Sequence, residues 1–303
     1  MKIKYLRYTI IFMVFISAVL FYIRDDLSYL YRLYERYYDT PSELNLRSYV
    51  ADIEAKEVKG VKDNLSGLTW SDKHRLLFAV VNNPPEVVWL TPDGERVGSL
   101  SIPEITDPEA VAWVGDDLFR IGSEKEGNAW LVNLDILKGT YHLLSNISLK
   151  DYTRSNNKGL EGLAWDKEKK VLFAAKEKKP MMISWMDVQS EENSVSALPT
   201  STTSSIRDVS GLHYNSPTSS LLVLSDESKK ILEINSQGQV TDHLYLNAGW
   251  SGLTEDIPQA EGIALDDKGN LYIVSEPNLF YRFTKPQNGR TTMLGGDPIY
   301  FQS

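Results

Sequence analysis

The chain has 303 residues, a formal net charge of -9 and no cysteine. An acidic balance without a dense basic stripe excludes a nucleic-acid surface built on phosphate neutralisation. The missing thiols exclude disulfides, zinc–thiolate centres and a cysteine nucleophile, while a chain of this length is ample for one packed core.

The N-terminus comes first. Lys2, Lys4 and Arg7 precede Tyr8 to Ile23, an uncharged and mostly apolar run, and Arg24-Asp25-Asp26 follow. At about 1.5 Å per residue the run spans roughly 24 Å, slightly short of a hydrocarbon core of roughly 30 Å. Tyr5, Tyr8 and Tyr22 extend it into the interfaces. The length also suits a signal peptide, but no small-x-small cleavage site follows, so residues 1–24 read as an uncleaved transmembrane helix. Basic residues ahead of the span predict an inner-membrane, single-pass protein with a cytoplasmic N-terminus and a periplasmic remainder.

Residues 25–43 carry Leu27, Leu30, Tyr31, Tyr34 and Tyr38 at helical spacing, ended by Thr40-Pro41. Tyrosine is enriched at membrane interfaces because its ring is apolar and its hydroxyl wet. This segment reads as a short juxtamembrane helix, or as a stalk packed on the domain that follows.

Residues 44–303 contain one phrase five times: Ser66-Gly67-Leu68-Thr69-Trp70, Glu109-Ala110-Val111-Ala112-Trp113, Glu161-Gly162-Leu163-Ala164-Trp165, Ser210-Gly211-Leu212-His213-Tyr214 and Glu261-Gly262-Ile263-Ala264-Leu265. The starts are 43, 52, 49 and 51 residues apart. Short strands at a period of roughly 40 to 50 residues predict an all-β fold, a β-propeller with one four-stranded blade per repeat. Each phrase is followed by a polar turn, a short apolar strand, a third strand and, in the earlier copies, a fourth.

Each interval holds one blade, which favours five blades over six. The last copy lacks a fourth strand, and Tyr49 to Val58 is expected to supply it and close the ring. A sixth blade would need Thr284 to Ser303 and Leu44 to Lys62 each to make more than one strand. Small residues alternate within the phrase, as in Gly162 and Ala164, which predicts close approach of innermost strands at the axis.

Two sets of polar residues are expected to meet at one mouth of the channel. Glu109, Glu161 and Glu261 open innermost strands, with Asp208 just before a fourth. Asn82, Glu124, Glu177, Asp226 and Glu276 close second strands. In an up-and-down blade those two positions lie at the same end. Converging carboxylates and an amide suit a hard cation such as Ca²⁺, which takes six to eight oxygen ligands in loose geometry. The bland alternative is an ion-pair ring with Lys125, Lys176, Lys178 and Arg207. Of the four histidines only His213 falls in an innermost strand; it is a weak candidate for a catalytic base beside its more ordinary role as a packed histidine.

Several of these stretches carry a resemblance. Asn82-Asn83-Pro84-Pro85, Asp107-Pro108-Glu109, Lys158 to Asp166, Ala175-Lys176-Glu177-Lys178, Asp208 to Leu212, Leu224 to Ser228, Pro258 to Ala264 and Ser275 to Phe280 resemble the SdiA-regulated domain family, the YjiK-like proteins of Gram-negative bacteria. The resemblance implies a propeller akin to NHL, phytase-like and gluconolactonase-like propellers behind a membrane anchor, and it implies no particular activity. Two functions follow as expectations. One is an envelope protein that binds a small ligand or an envelope partner at the propeller mouth, with a Ca²⁺ site. The other is a Ca²⁺-dependent hydrolase of lactones or phosphoesters.

Overall fold

The computed structural model describes residues 12–14, 16, 42–149, 159–178, 180–189, 195–198 and 204–286. Of the expected anchor, Phe12, Met13, Val14 and Ile16 are helical; the rest of it and most of the juxtamembrane segment lie outside the described residues. Among the described residues no helix is long and apolar enough to cross a membrane.

Residues 42–286 contain five four-stranded antiparallel sheets. Blade one is β2 (Leu65–Ser71), β3 (Leu76–Asn82), β4 (Pro85–Leu90) and β5 (Arg96–Ser101). Blade two is β6 (Pro108–Gly115), β7 (Leu118–Ser123), β8 (Asn128–Asp135) and β9 (Thr140–Ser148). Blade three is β10 (Leu160–Asp166), β11 (Val171–Lys176), β12 (Met182–Asp187) and β13 (Val195–Ala197). Blade four is β14 (Gly211–Asn215), β15 (Ser220–Ser225), β16 (Lys230–Ile234) and β17 (Val240–Tyr245). Blade five is β18 (Gln259–Leu265), β19 (Leu271–Glu276) and β20 (Leu279–Thr284), completed by β1 (Val50–Glu57). The ring therefore has five blades, and the N-terminal strand closes it as expected, antiparallel to β20 with Val50 opposite Thr284. Chain-distant side chains reinforce the closure: Arg282 holds Asp52 at 2.8 Å.

Five apolar clusters hold the ring together, each between two consecutive blades. Phe78 of blade one meets Phe119 of blade two at a centroid distance of 4.5 Å. Each such fully buried side chain contributes about 1.5–3 kcal/mol of hydrophobic stabilisation.

The small residues of the phrase give the close approach of innermost strands that was expected. They face the neighbouring blade and receive its large phrase residue. A Cβ on Gly162 would lie 2.9 Å from Leu212 Cγ, and one on Gly262 would lie 2.7 Å from the carbonyl carbon of Gly67 and 2.8 Å from Leu68 Cβ. The alternation of small and large is thus a lock between blades, and close packing of inner strands follows from it.

Candidate functional site

A single register feature aims the acids. Along β10 and β11, Leu160 opposes Lys176 but Gly162 opposes Ala175, so Glu161 is an extra residue in its strand. The same slip makes Glu261 the extra residue of β18 and Glu109 the extra residue of β6. A β-bulge leaves its residue unpaired and turns the side chain out of the sheet's alternation. In blade one the slip falls a residue later, at Gly67, which has φ +45°. Blade four starts its strand after Ser210, whose amide donates to the Leu224 carbonyl at 3.0 Å.

These residues line a polar cavity of about 320 Å³ at one mouth of the channel. All nine residues expected there are present: Asn82, Glu109, Glu124, Glu161, Glu177, Asp208, Asp226, Glu261 and Glu276. Asp107, Ser210, Glu227 and Gln259 also line it and were not foreseen as site residues. The signal for two of them was available: Asp208 stands two residues before Ser210, and the same offset marks Asp107 and Gln259.

The cavity is electrostatically uneven. On one side Lys178 reaches both Glu177 and Glu227 at 2.6 Å, and Lys229 reaches Asp226 at 2.6 Å. Asp208 accepts from the Ser225 hydroxyl and from the Glu227 amide. Of the bases expected to neutralise the ring, Lys178 does so, and Lys229 was not anticipated. Arg207 instead donates to the Glu227 carbonyl.

On the other side, no Lys or Arg among the described residues pairs with Glu109, Glu161 or Glu261. Asn82 Nδ2 donates to Glu109 Oε1 at 2.5 Å, and the Gly159 amide donates to Glu124 Oε1 at 3.0 Å. Burial pushes the Glu109 carboxyl up to about 7, with the Asn82 and Ser66 hydrogen bonds pulling down and Asp107 and Glu124 pushing further up. Burial, then the neighbouring carboxylates, also raises Glu161 and Glu261 well above the usual range. Glu276 and Asp208 shift upward, again chiefly through burial.

Oxygen atoms of Asp107, Glu109 and Glu124 lie within 4.8 Å of one another, close enough to share one cation. The donor set is all oxygen, which suits a hard cation. Ser210 supports the fit independently: it is 4% exposed, lines the same cavity, and its hydroxyl has no hydrogen-bond partner among the described residues. His213 is elsewhere. It lies at the far end of the inner strands, in a second cavity lined by Trp70, Trp113, Trp165 and Tyr214. Burial lowers its imidazole to about 4 and keeps it neutral.

The family model described as SdiA-regulated matches residues 42–284, the whole of the propeller. Among solved structures, the chain is similar to a gluconolactonase from Xanthomonas campestris, with TM-score 0.51 and 12% identity over 78% of this chain and 97% of that one. It is also similar to a luciferin-regenerating enzyme, with TM-score 0.48 and 12% identity over 77% and 95% of the two chains. A streptogramin B lyase matches with TM-score 0.41 and 12% identity over 75% of this chain and 66% of that one. At these identities the likeness is one of fold.

Proposed function

The chain belongs to the SdiA-regulated family, and from that premise we propose that it is a membrane-anchored periplasmic propeller whose acidic mouth binds Ca²⁺ and, beside it, a small ligand or an envelope partner. One observation carries the reading. Desolvated carboxylates converge on one cavity, and among the described residues no Lys or Arg pairs with the three on bulges. Asp107, Glu109 and Glu124 would hold the ion, with Asn82 orienting Glu109 through its amide. A bound Ca²⁺ would supply a fixed positive charge for an oxygen-rich ligand. The anchor and the periplasmic location rest on the charge pattern around residues 8–23.

A second reading is hydrolysis of lactones or phosphoesters at the same mouth. It is favoured by Glu109, whose carboxyl near 7 is matched to giving or taking a proton at neutral pH. His213 lines the other cavity, away from these carboxylates.

The test is elemental analysis of the purified full chain, paired with thermal unfolding with Ca²⁺ and with a chelator. Stoichiometric calcium and a chelator-sensitive Tm support the cation site. A chain that is free of metal and insensitive to Ca²⁺ removes it and leaves the acids as a structural network. Turnover of a lactone or phosphoester that disappears in Glu109→Gln would favour the hydrolase over the binding protein.

A further inference from the structure

The mouth opposite the acids opens on a cavity of about 380 Å³, within the range of roughly 300–1,000 Å³ for small-molecule sites. Trp113, Trp165 and Tyr214 reach it from the fifth phrase position of three consecutive blades, each half-buried and packed on an inter-blade cluster. One position further in stands His213, where the other blades carry Thr69, Ala112, Ala164 and Ala264. Its imidazole has no hydrogen-bond or ionic partner among the described residues, and neither ring nitrogen is sealed from the cavity. Burial among protein atoms lowers it to about 4. It therefore adds no positive charge at neutral pH and presents one nitrogen as an acceptor.

The charges around it are unequal. Glu43, Asp72, Asp266 and Asp267 line the cavity, with Lys167 as the basic residue among them. Lys167 lies 3.6 Å from Asp72, and Arg75 lies 2.5 Å from Asp267. Asp266 is 6% exposed and is held by neutral donors, the amides of Lys268 and Asn270 and the Tyr272 hydroxyl. Glu43, exposed at the edge, pairs with no base among the described residues. The same mouth already holds one cation of the chain's own in this chemistry. The Arg75 guanidinium lies 5.1 Å from the centre of the Trp70 ring while it pairs with Asp267, so it sits against both an aromatic ring and a carboxylate.

We propose that this mouth binds an organic ammonium ion, a protonated amine on an apolar body, with the body packed among Trp113, Trp165 and Tyr214 and an ammonium N–H donating to the His213 imidazole. Aromatic rings attract a cation, and the excess of carboxylates adds to that attraction. An anion would meet Asp266 and Glu43 unopposed, and a neutral ligand would gain nothing from them. The site does not rest on a cation at the acidic mouth.

The test is saturation-transfer NMR on the full chain at neutral pH with benzylamine, benzyltrimethylammonium, benzyl alcohol and phenylacetate, which share one body and differ in charge and in N–H. Benzylammonium is expected to bind at least about tenfold more tightly than the alcohol or the anion, and benzyltrimethylammonium, which keeps the charge without the N–H, to fall between. His213→Ala installs the residue that three other blades carry there, and is expected to erase the preference for benzylammonium over benzyltrimethylammonium. Tyr214→Leu, matching Leu265 of blade five, removes one ring and is expected to weaken both cations about tenfold; it carries the test if the first variant does not fold. Glu161→Gln, in the acidic mouth, should leave binding unchanged. No binding of benzylammonium, equal binding of the four probes, wild-type selectivity in a folded His213→Ala, or binding lost in Glu161→Gln but kept in Tyr214→Leu would overturn the proposal.

Discussion

The acidic mouth and the aromatic mouth are opposite ends of the same five-residue phrase. Its first position supplies Glu109, Glu161 and Glu261 to one cavity, and its fifth supplies Trp113, Trp165 and Tyr214 to the other. Between them Leu68, Val111, Leu163, Leu212 and Ile263 narrow the channel to a pocket of about 10 Å³. At the aromatic end Asp72, Asp266 and Asp267 each have a partner. The acidic end crowds desolvated carboxylates, whose charged forms burial and mutual repulsion disfavour. One repeat thus separates a mouth of crowded, desolvated carboxylates from a mouth walled by aromatic rings.

The sharpest way to break this contrast is Glu109→Gln with Glu124→Gln, two of the three residues that would hold the ion. Ca²⁺ at a thousandfold excess over its Kd should stabilise the wild-type chain by about 4 kcal/mol. The double variant should lose that response while its Tm without Ca²⁺ rises; a full response in thermal unfolding would show that these residues are not ligands.

Glu109 gives the pH dependence. Its folded-state pKa of about 7 stands above the ordinary glutamate value of 4.5. Between those values the unfolded chain binds fewer protons than the folded one, so stability falls as pH rises from about 4.5 to about 7. Above that window Glu109→Gln should be more stable than the wild type by about 3 kcal/mol without metal, and Ca²⁺ should flatten the wild-type profile. Denaturant unfolding at pH 5 and pH 8 checks both; a wild type more stable at pH 8 in chelator would contradict the assignment.

At the waist, Gly262→Ala would push a Cβ to 2.7 Å from the backbone of Gly67. A cost of about 2 kcal/mol in urea unfolding is expected, because backbone cannot yield as a flexible side chain does. The smallest effect belongs to the aromatic end. Thr69 Oγ1 accepts from the Trp113 amide at 3.0 Å, joining blades one and two, and Thr69→Val should cost about 1 kcal/mol with no change in the Ca²⁺ response.

The blade count, the closing strand and the eight acids and one amide at one mouth were legible because they rest on repetition and on the antiparallel order of strands. What escaped was local geometry. A bulge adds one residue to one strand, and reading alternate positions along Glu109, Glu161 or Glu261 does not reveal it. The partner of each glycine was equally hidden, since Gly162 and Leu212 meet only when two repeats are stacked. Asp107 and Gln259 share the two-residue offset of Asp208 from the phrase, a weaker cue than the phrase itself because it lies outside the repeated motif. His213 stands out in sequence as a departure from the small residues of other copies, yet its distance from the acids follows from where along the strand it falls.

The closing strand also sets a schedule for the chain's own birth. Asp52 leaves the ribosome early, but its partner Arg282 is 230 residues further on. At about 5–20 residues per second that is a wait of roughly ten to fifty seconds. Throughout it β1 has no sheet to join, and blade five cannot be completed. Four blades can stack as they emerge, each on the one before, while the last step joins the oldest strand to the newest. A nascent propeller of this design is an open arc with bare edges at both ends until β20 has been made, and those edges are where a chaperone or an errant second copy would first find it.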